Sequence, residues 1–428
     1  MRTRGRLVAL AQWLLLGSLV GILCGASSAL LLWLLERVTD FRVGHEAFVY
    51  ALPLAGLMIG LAYERFGQSI VAGHNLVIDT IHDNGPEIPL RMAPMVFAGT
   101  VLTHLFGGSV GREGTAVQMG ASMTDWLSHR LGVDKSVRRQ LVAAGVAGGF
   151  GSVFGTPIAG AVFGLEFIVL GRIEYDALVP ALVASIIGNM TTRAFGIVHP
   201  HYPASLYLPL TPLLLLKWLV FAVVVAVVST VFIELTHALQ KQGERHIPRL
   251  SLRMFLGALV VVGLWKLVGT GDYLGLGMPT IERAFIDPNL PSYAFALKLI
   301  FTTVTLGAGF PGGEVTPLFF IGATLGSVLA RLLGIPLELG AGVGLAAVFA
   351  ASSNTPLAMS IMAVELLGAP VLPHVAIVCV VAYLLTGHRS IYPAQRLVRS
   401  KVGAKLKRMT SLRDMAKTDP TPQAVHHE

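Results

Sequence analysis

Two stretches place full charges between glycines in otherwise apolar sequence. GGSVGREGTAVQMG (107–120) holds Arg112 and Glu113, and GAGFPGGEVTP (307–317) holds Glu314. A third glycine break, GHN at 73–75, is uncharged unless His74 is protonated. Each precedes an apolar run (LVI, AVQMGASM, LFFIGATLG) that could start a helix. Unpaired N–H groups at a helix start, with the positive end of the helix dipole, make a site for a small anion. Several such starts aimed at one point would hold an anion without a full buried positive charge. An ionisable residue at membrane depth is costly and by default functional. As a carboxylate, Glu113 competes with the anion for the same N–H groups; once protonated it withdraws. One side chain can therefore couple an anion to a proton. Arg112 reads as a structural partner of a carboxylate or of loop carbonyls beneath the break. Taken singly, any of the three breaks could be an ordinary glycine contact between helices.

The elements that must position these residues are membrane helices. The chain has 428 residues, 54% of them hydrophobic and 13% charged, against about 25% charged in globular domains. Residues 7–35, 211–235 and 371–386 are apolar with few or no charges, and the first two exceed the roughly 18–20 residues that span a bilayer. The N-terminus imitates a secretory signal, but its apolar stretch runs on past GASSA into LLLWLL, which predicts a long tilted first helix. The net charge of +8 is concentrated in Arg2–Arg6, Arg130–Arg139, Lys241–Arg253 and Arg396–Lys407. That is the pattern of cytoplasmic loops and ends, not of a nucleic-acid surface, and it puts both termini in the cytoplasm. Cys24 and Cys379 lie far apart in apolar segments, so neither a disulfide nor a metal site is expected.

The chain also repeats itself. GHNLVIDTIHD (73–83) lies over GLGMPTIERAF (275–285), and GREGT (111–115) over GGEVT (312–316), pairing Glu113 with Glu314 and Thr115 with Thr316. TPIAGAVFGLE (156–166) lies over TPLAMSIMAVE (355–365), pairing Glu166 with Glu365. The order is kept through about 90 residues, and all three glycine breaks fall within the duplicated sequence, which weighs against ordinary helix contacts. Duplicated halves about a pseudo-two-fold axis, with sites at matching broken helices, are a transporter architecture. The expected organisation is an N-terminus at 1–6, halves at 7–210 and 211–400, and a short disordered tail at 401–428.

These motifs resemble those of the CLC family of anion channels and proton-coupled antiporters: GREGT its GREGP, GGEVTP its second anion-site motif, and TPIAGAVFGLE its Pro-initiated helix ending in Glu. The resemblance reaches from the first helix to about residue 400. It implies an all-α, inverted-repeat membrane fold of tilted and broken helices, one pore per subunit in a homodimer. It implies Glu113 as the gating glutamate, Tyr392 of RSIYPAQ as the tyrosine lining the central anion site, and His74 where chloride-selective members carry a pore serine.

The departures point to one branch. Thr115 replaces the Pro after GREG, GEVTP lacks the usual Phe, and Asn75 replaces a small residue. Together these resemble the bacterial fluoride/proton antiporters. Chloride antiporters carry a second glutamate directly after the residue matching Glu166; here it is Phe167, so Glu314 is the replacement candidate for the proton route. Fluoride is a small, strong hydrogen-bond acceptor, and His74, Asn75, Thr115, Thr316 and Tyr392 can all donate. The two threonines could instead be helix N-caps. The candidate anion site is thus His74, Asn75, Gly111, Arg112, Gly114, Thr115, Val315, Thr316 and Tyr392, with Glu113 and Glu314 carrying protons. Glu166 and Glu365 are expected to be paired or at a membrane surface.

The expected function is export of fluoride in exchange for protons across a bacterial inner membrane, without cofactor or metal. The alternatives are a chloride/proton antiporter and a passive channel of the same family. An intramembrane enzyme is the reading from another class, but HEAFV (45–49) lacks the second His of HExxH and no Walker A sequence is present. His199, His201, His426 and His427 read as loop and tail residues.

Overall fold

The computed structural model describes residues 2–83, 85, 87–170, 172–200, 202–203, 208–401 and 405–418. The first half of the chain forms α1 (Arg2–Gly44), α2 (Leu52–Phe66), α3 (His74–Asp83), α4 (Met92–Leu105), α5 (Glu113–Arg130), α6 (Lys135–Phe154), α7 (Pro157–Glu166) and α8 (Leu178–Ala194). The second forms α9 (Pro212–His246), α10 (Leu250–Val268), α11 (Met278–Ile286), α12 (Ala294–Gly307), α13 (Val315–Leu333), α14 (Leu337–Ser353), α15 (Pro356–Leu367) and α16 (Leu372–Leu385). The two series correspond in order. α3 and α11 have 10 and 9 residues, α4 and α12 have 14 each, and α5 and α13 have 18 and 19. The duplication read from scattered motifs thus extends to the whole helical plan.

Six helices among the described residues are long and apolar enough to cross a bilayer, α1 and α9 among them. α3, α7 and α11 are not. At 1.5 Å per residue a 10-residue helix reaches about 15 Å, half of a bilayer's hydrocarbon core. Such half-helices end inside the protein, where their bare N–H and C=O groups need partners.

With lipid as solvent, helix contact is driven by close packing rather than water exclusion, and small residues permit it. Gly17, Gly21 and Gly25 recur every fourth residue along the α1 face that meets α8. A Cβ at Gly25 would lie 2.4 Å from the Gly188 carbonyl oxygen. Gly322 and Gly326 of α13 meet Gly344 and Gly340 of α14 in the same way, each added Cβ falling 2.2 Å from a carbonyl oxygen. These contacts fix the helix that carries Thr316.

The halves also exchange a contact reciprocally. The Glu166 carboxylate, at the end of α7, accepts the Leu357 and Ala358 N–H groups at 3.1 and 2.8 Å. The Glu365 carboxylate, near the end of α15, accepts those of Ile158 and Ala159 at 3.0 and 2.8 Å. Each glutamate therefore caps the Pro-initiated helix of the other half. Both are paired, as expected, and their partners are helix starts. Glu166→Ala is expected to cost about 1 kcal/mol, the usual value of a lost N-cap, read as a lower Tm in detergent. Glu166→Gln keeps an accepting oxygen and should retain most transport; its loss would place Glu166 on the proton route.

The C-terminal segment departs from expectation. β1 (Val169–Leu170) pairs in parallel with β2 (Arg396–Arg399), which pairs antiparallel with β3 (Lys405–Ser411), and α17 (Leu412–Thr418) follows. Residues 405–418, expected to be disordered, are thus ordered; 419–428, with His426 and His427, lie outside the described residues, as does His201. Leu170, Leu397 and Leu412 form a small apolar cluster. The Leu412 and Arg413 N–H groups donate to the Gln395 and Pro393 carbonyls, each at 2.9 Å. Arg413 also forks onto Asp79 of α3, both contacts at 3.0 Å.

Candidate anion and proton site

The breaks at 107–115 and 307–317 end in two helix starts that face one another. Gly111 and Gly313 form an isolated antiparallel bridge, N–H to carbonyl at 2.5 Å one way and 2.8 Å the other. Only glycine permits this approach. A Cβ at Gly114 would lie 2.9 Å from the Gly313 Cα and 2.7 Å from the His74 Cε1. The starts of α3, α5 and α13 are therefore packed together, as the three breaks predicted.

Glu113, the first residue of α5, is fully buried. Its side chain turns across the gap to the start of α13. One carboxylate oxygen accepts the Thr316 N–H at 3.2 Å and the Arg112 N–H at 3.1 Å; the other accepts the Thr316 hydroxyl. The Arg112 Nε stands 3.6 Å away. A carboxylate held by two backbone N–H groups, a hydroxyl and a helix dipole occupies the place a small anion would take. Its departure would free three donors at once.

Glu314 is the N-cap residue of α13 and is buried, accepting the Tyr392 hydroxyl proton on one oxygen. The Tyr392 ring lies 5.2 Å from that of His74 and 4.8 Å, edge-on, from Phe167. Phe167 stacks on Phe163 and is fully buried. An aromatic wall therefore stands directly after Glu166; Glu314 is the carboxylate that reaches it, through Tyr392, and the His74 ring lies 6.3 Å from Phe167.

His74 shows a partner that sequence reasoning missed. Gln118 Nε2 lies 3.4 Å from its Nδ1. Taking the amide as donor assigns the ring proton to Nε2, so the neutral imidazole keeps one N–H to offer. A polar residue in the apolar run AVQMG was the available signal. Gln395 was also missed. It is fully buried and donates to the Phe167 and Ser353 carbonyls, both at 2.8 Å, fixing the loop that carries Tyr392.

Three candidate residues do other work. The Thr115 hydroxyl is 2.6 Å from that of Thr100 on α4, so it neither caps α5 nor faces the Glu113 carboxylate. Asn75 uses its carbonyl oxygen to accept the Ala394 N–H at 3.0 Å, tying α3 to the Tyr392 loop. Gly111 spends its N–H on the Gly313 bridge. Gly114, by contrast, lies against the His74 ring, a Cβ there falling 3.2 Å from the His74 Nε2.

A cavity of about 960 Å³ opens beside the second half of α1 and reaches Arg112. A much smaller one, lined by Arg112, Glu113, Tyr202 and Thr316, continues from it. Glu113 thus stands at the inner end of a vestibule. No group of three or more His, Cys, Asp or Glu placed to hold a metal occurs among the described residues.

The voltage-gated chloride channel family matches the chain over residues 55–387. The chain belongs to the CLC family. This CLC protein is 46% identical over 403 residues to a chloride/fluoride channel protein of Pseudomonas syringae pv. tomato, covering 92% of this chain and 88% of that one. A crystal structure of a CLC-type fluoride/proton antiporter matches at a TM-score of 0.88 and 37% identity, covering 91% of this chain and 98% of that one. A slow cyanobacterial Cl⁻/H⁺ antiporter matches at 0.75 with 17% identity, covering 88% and 93%, and bears on the fold alone. The helical inverted-repeat fold expected from the motifs is that of this CLC chain, a membrane transport fold.

Proposed function

We propose that this CLC protein exports fluoride in exchange for protons across a bacterial inner membrane. The observation that carries the reading is the Glu113 carboxylate on the Thr316 N–H, the Thr316 hydroxyl and the Arg112 N–H. Protonation removes the charge that holds it against the α13 dipole, and the neutral carboxyl group leaves. A fluoride ion then takes the three donors. Fluoride leaving one way and the proton on Glu113 moving the other make one exchange. Glu314, hydrogen-bonded by Tyr392 and two residues from Thr316, carries the proton past the wall that Phe167 closes. The names of the two similar proteins, one a chloride/fluoride channel protein and one a fluoride/proton antiporter, support the same reading.

We infer as well that both termini lie in the cytoplasm, from the basic stretches, and that two copies pair, from the CLC resemblance. The reading is supported by one apolar cluster against which Trp13 and Leu16 of α1 and Leu127, Val133 and Val137 beside the basic stretch 130–139 all pack, in keeping with the positive-inside rule.

Purified protein in proteoliposomes should move fluoride outward while taking protons in, and an imposed proton gradient should drive fluoride uphill. Faster proton-coupled movement of chloride, with fluoride excluded, would replace this reading by the chloride antiporter; fluoride flux without proton movement would make it a channel.

A further inference from the structure

Arg42 in the vestibule lining is backed by two further basic residues that the exchange above does not use. Arg42 of α1 lines the cavity yet is 6% exposed, and its Nε has no hydrogen-bond partner among the described residues. Its guanidinium makes no ion pair among the described residues. Lys298 of α12 is fully buried and donates to the carbonyls of Tyr273 and Gly275 at 3.2 and 2.6 Å. His104 of α4 is fully buried, bonded through Nδ1 to the Thr100 carbonyl at 2.8 Å, with Nε2 unpartnered. All three converge on Gly275. A Cβ there would lie 3.2 Å from the Arg42 Nη2 and 3.8 Å from the His104 Cδ2.

Lys298 has a structural explanation, because it anchors the 273–275 turn through two carbonyls. Arg42 has none. Buried guanidinium groups are normally paired with a carboxylate or satisfied by carbonyls. The carboxylates that share the cavity lining, Glu36, Asp40, Glu46, Asp272 and Glu282, are all exposed. Solvent screens them, whereas the cations behind the floor are shielded from it.

We propose that Arg42 forms a second anion site on the vestibule floor, with Lys298 and His104 behind it, where a halide is held between bulk water and the Glu113 gate. The site takes a monovalent inorganic anion and precedes the step that selects fluoride, since a single guanidinium discriminates poorly among halides. This rests on the reading of the protein as an anion transporter, and it lies on the face where α1 ends.

Crystals of the full-length protein soaked in bromide test it directly, because bromide gives anomalous scattering and wild-type protein suffices. A bromide peak against the Arg42 guanidinium is expected, absent in Arg42→Gln. In oriented proteoliposomes, Arg42→Gln should raise the half-saturating fluoride concentration on that face about tenfold, the value of one charge-assisted hydrogen bond. The maximal rate and the opposite face should be unchanged, with partial rescue by Arg42→Lys. A map without bromide at Arg42, or an unchanged half-saturation in folded Arg42→Gln, would overturn the site. Wild-type protein that moves no fluoride would overturn the transport reading instead, and the bromide map would still decide the site.

Discussion

Glu113→Gln is expected to lower fluoride-driven proton uptake by at least about a hundredfold, the lower end for removing a proton-transferring group. The amide has nearly the shape of the carboxylic acid and its oxygen can still accept from Thr316. What it lacks is the negative charge that holds the group on the α13 start and the proton that releases it. The amide NH₂ would also face the Arg112 N–H, a donor against a donor. The variant should fold, since the Gly111–Gly313 bridge is backbone only. Uncoupled fluoride flux is permitted by this account. Proton-coupled exchange near the wild-type rate is not, and would reduce the Glu113 carboxylate to a structural group.

Glu314→Gln should have the second largest effect, a fall in proton-coupled transport of similar order. Tyr392 then donates to a neutral amide oxygen, and no carboxylate remains against Tyr392 beside the Phe167 wall. Tyr392→Phe supplies the control. It leaves the carboxylate titratable while removing its hydrogen bond, so it should shift the pH dependence of exchange and retain more activity than Glu314→Gln. Equal loss in both variants would show that the pair matters as a hydrogen bond and not as a proton carrier. Survival of coupled exchange in Glu314→Gln would return the proton route to Glu166.

The breaks and the duplication were legible because they depend on spacing, as was the choice of Glu113 and Thr316 as residues of one site; that the two meet directly was not. Thr115 was not legible. It is the repeat counterpart of Thr316, yet the halves differ in register by one residue: Glu113 is the first residue of α5, whereas Glu314 is the N-cap before α13. One residue turns a side chain by about 100° around a helix. Thr316 therefore meets the Glu113 carboxylate while Thr115 turns to Thr100 on α4. Asn75 was read as a donor to the anion, whereas its carbonyl oxygen accepts from the Ala394 backbone, 319 residues away in sequence and beyond the reach of local pattern. The C-terminal strands were hidden for another reason. β1 is two residues long and β3 reads KLKRMTS, so neither shows an apolar alternation, and their order comes from pairing with each other and from Arg413 on Asp79.

The crossed caps of Glu166 and Glu365 bear on how such a chain could arise. A contact in which residue i of one unit meets residue j of the other, and the reverse, is the kind two identical molecules make about a two-fold axis. A half-length ancestor inserted in both orientations would have capped its Pro-initiated helix only with its neighbour's glutamate. Gene fusion makes that encounter intramolecular, at the high effective concentration a linker provides. From then on the two halves were free to diverge in sequence, so that one break could keep a gate at Glu113 while the other acquired Glu314 beside Tyr392.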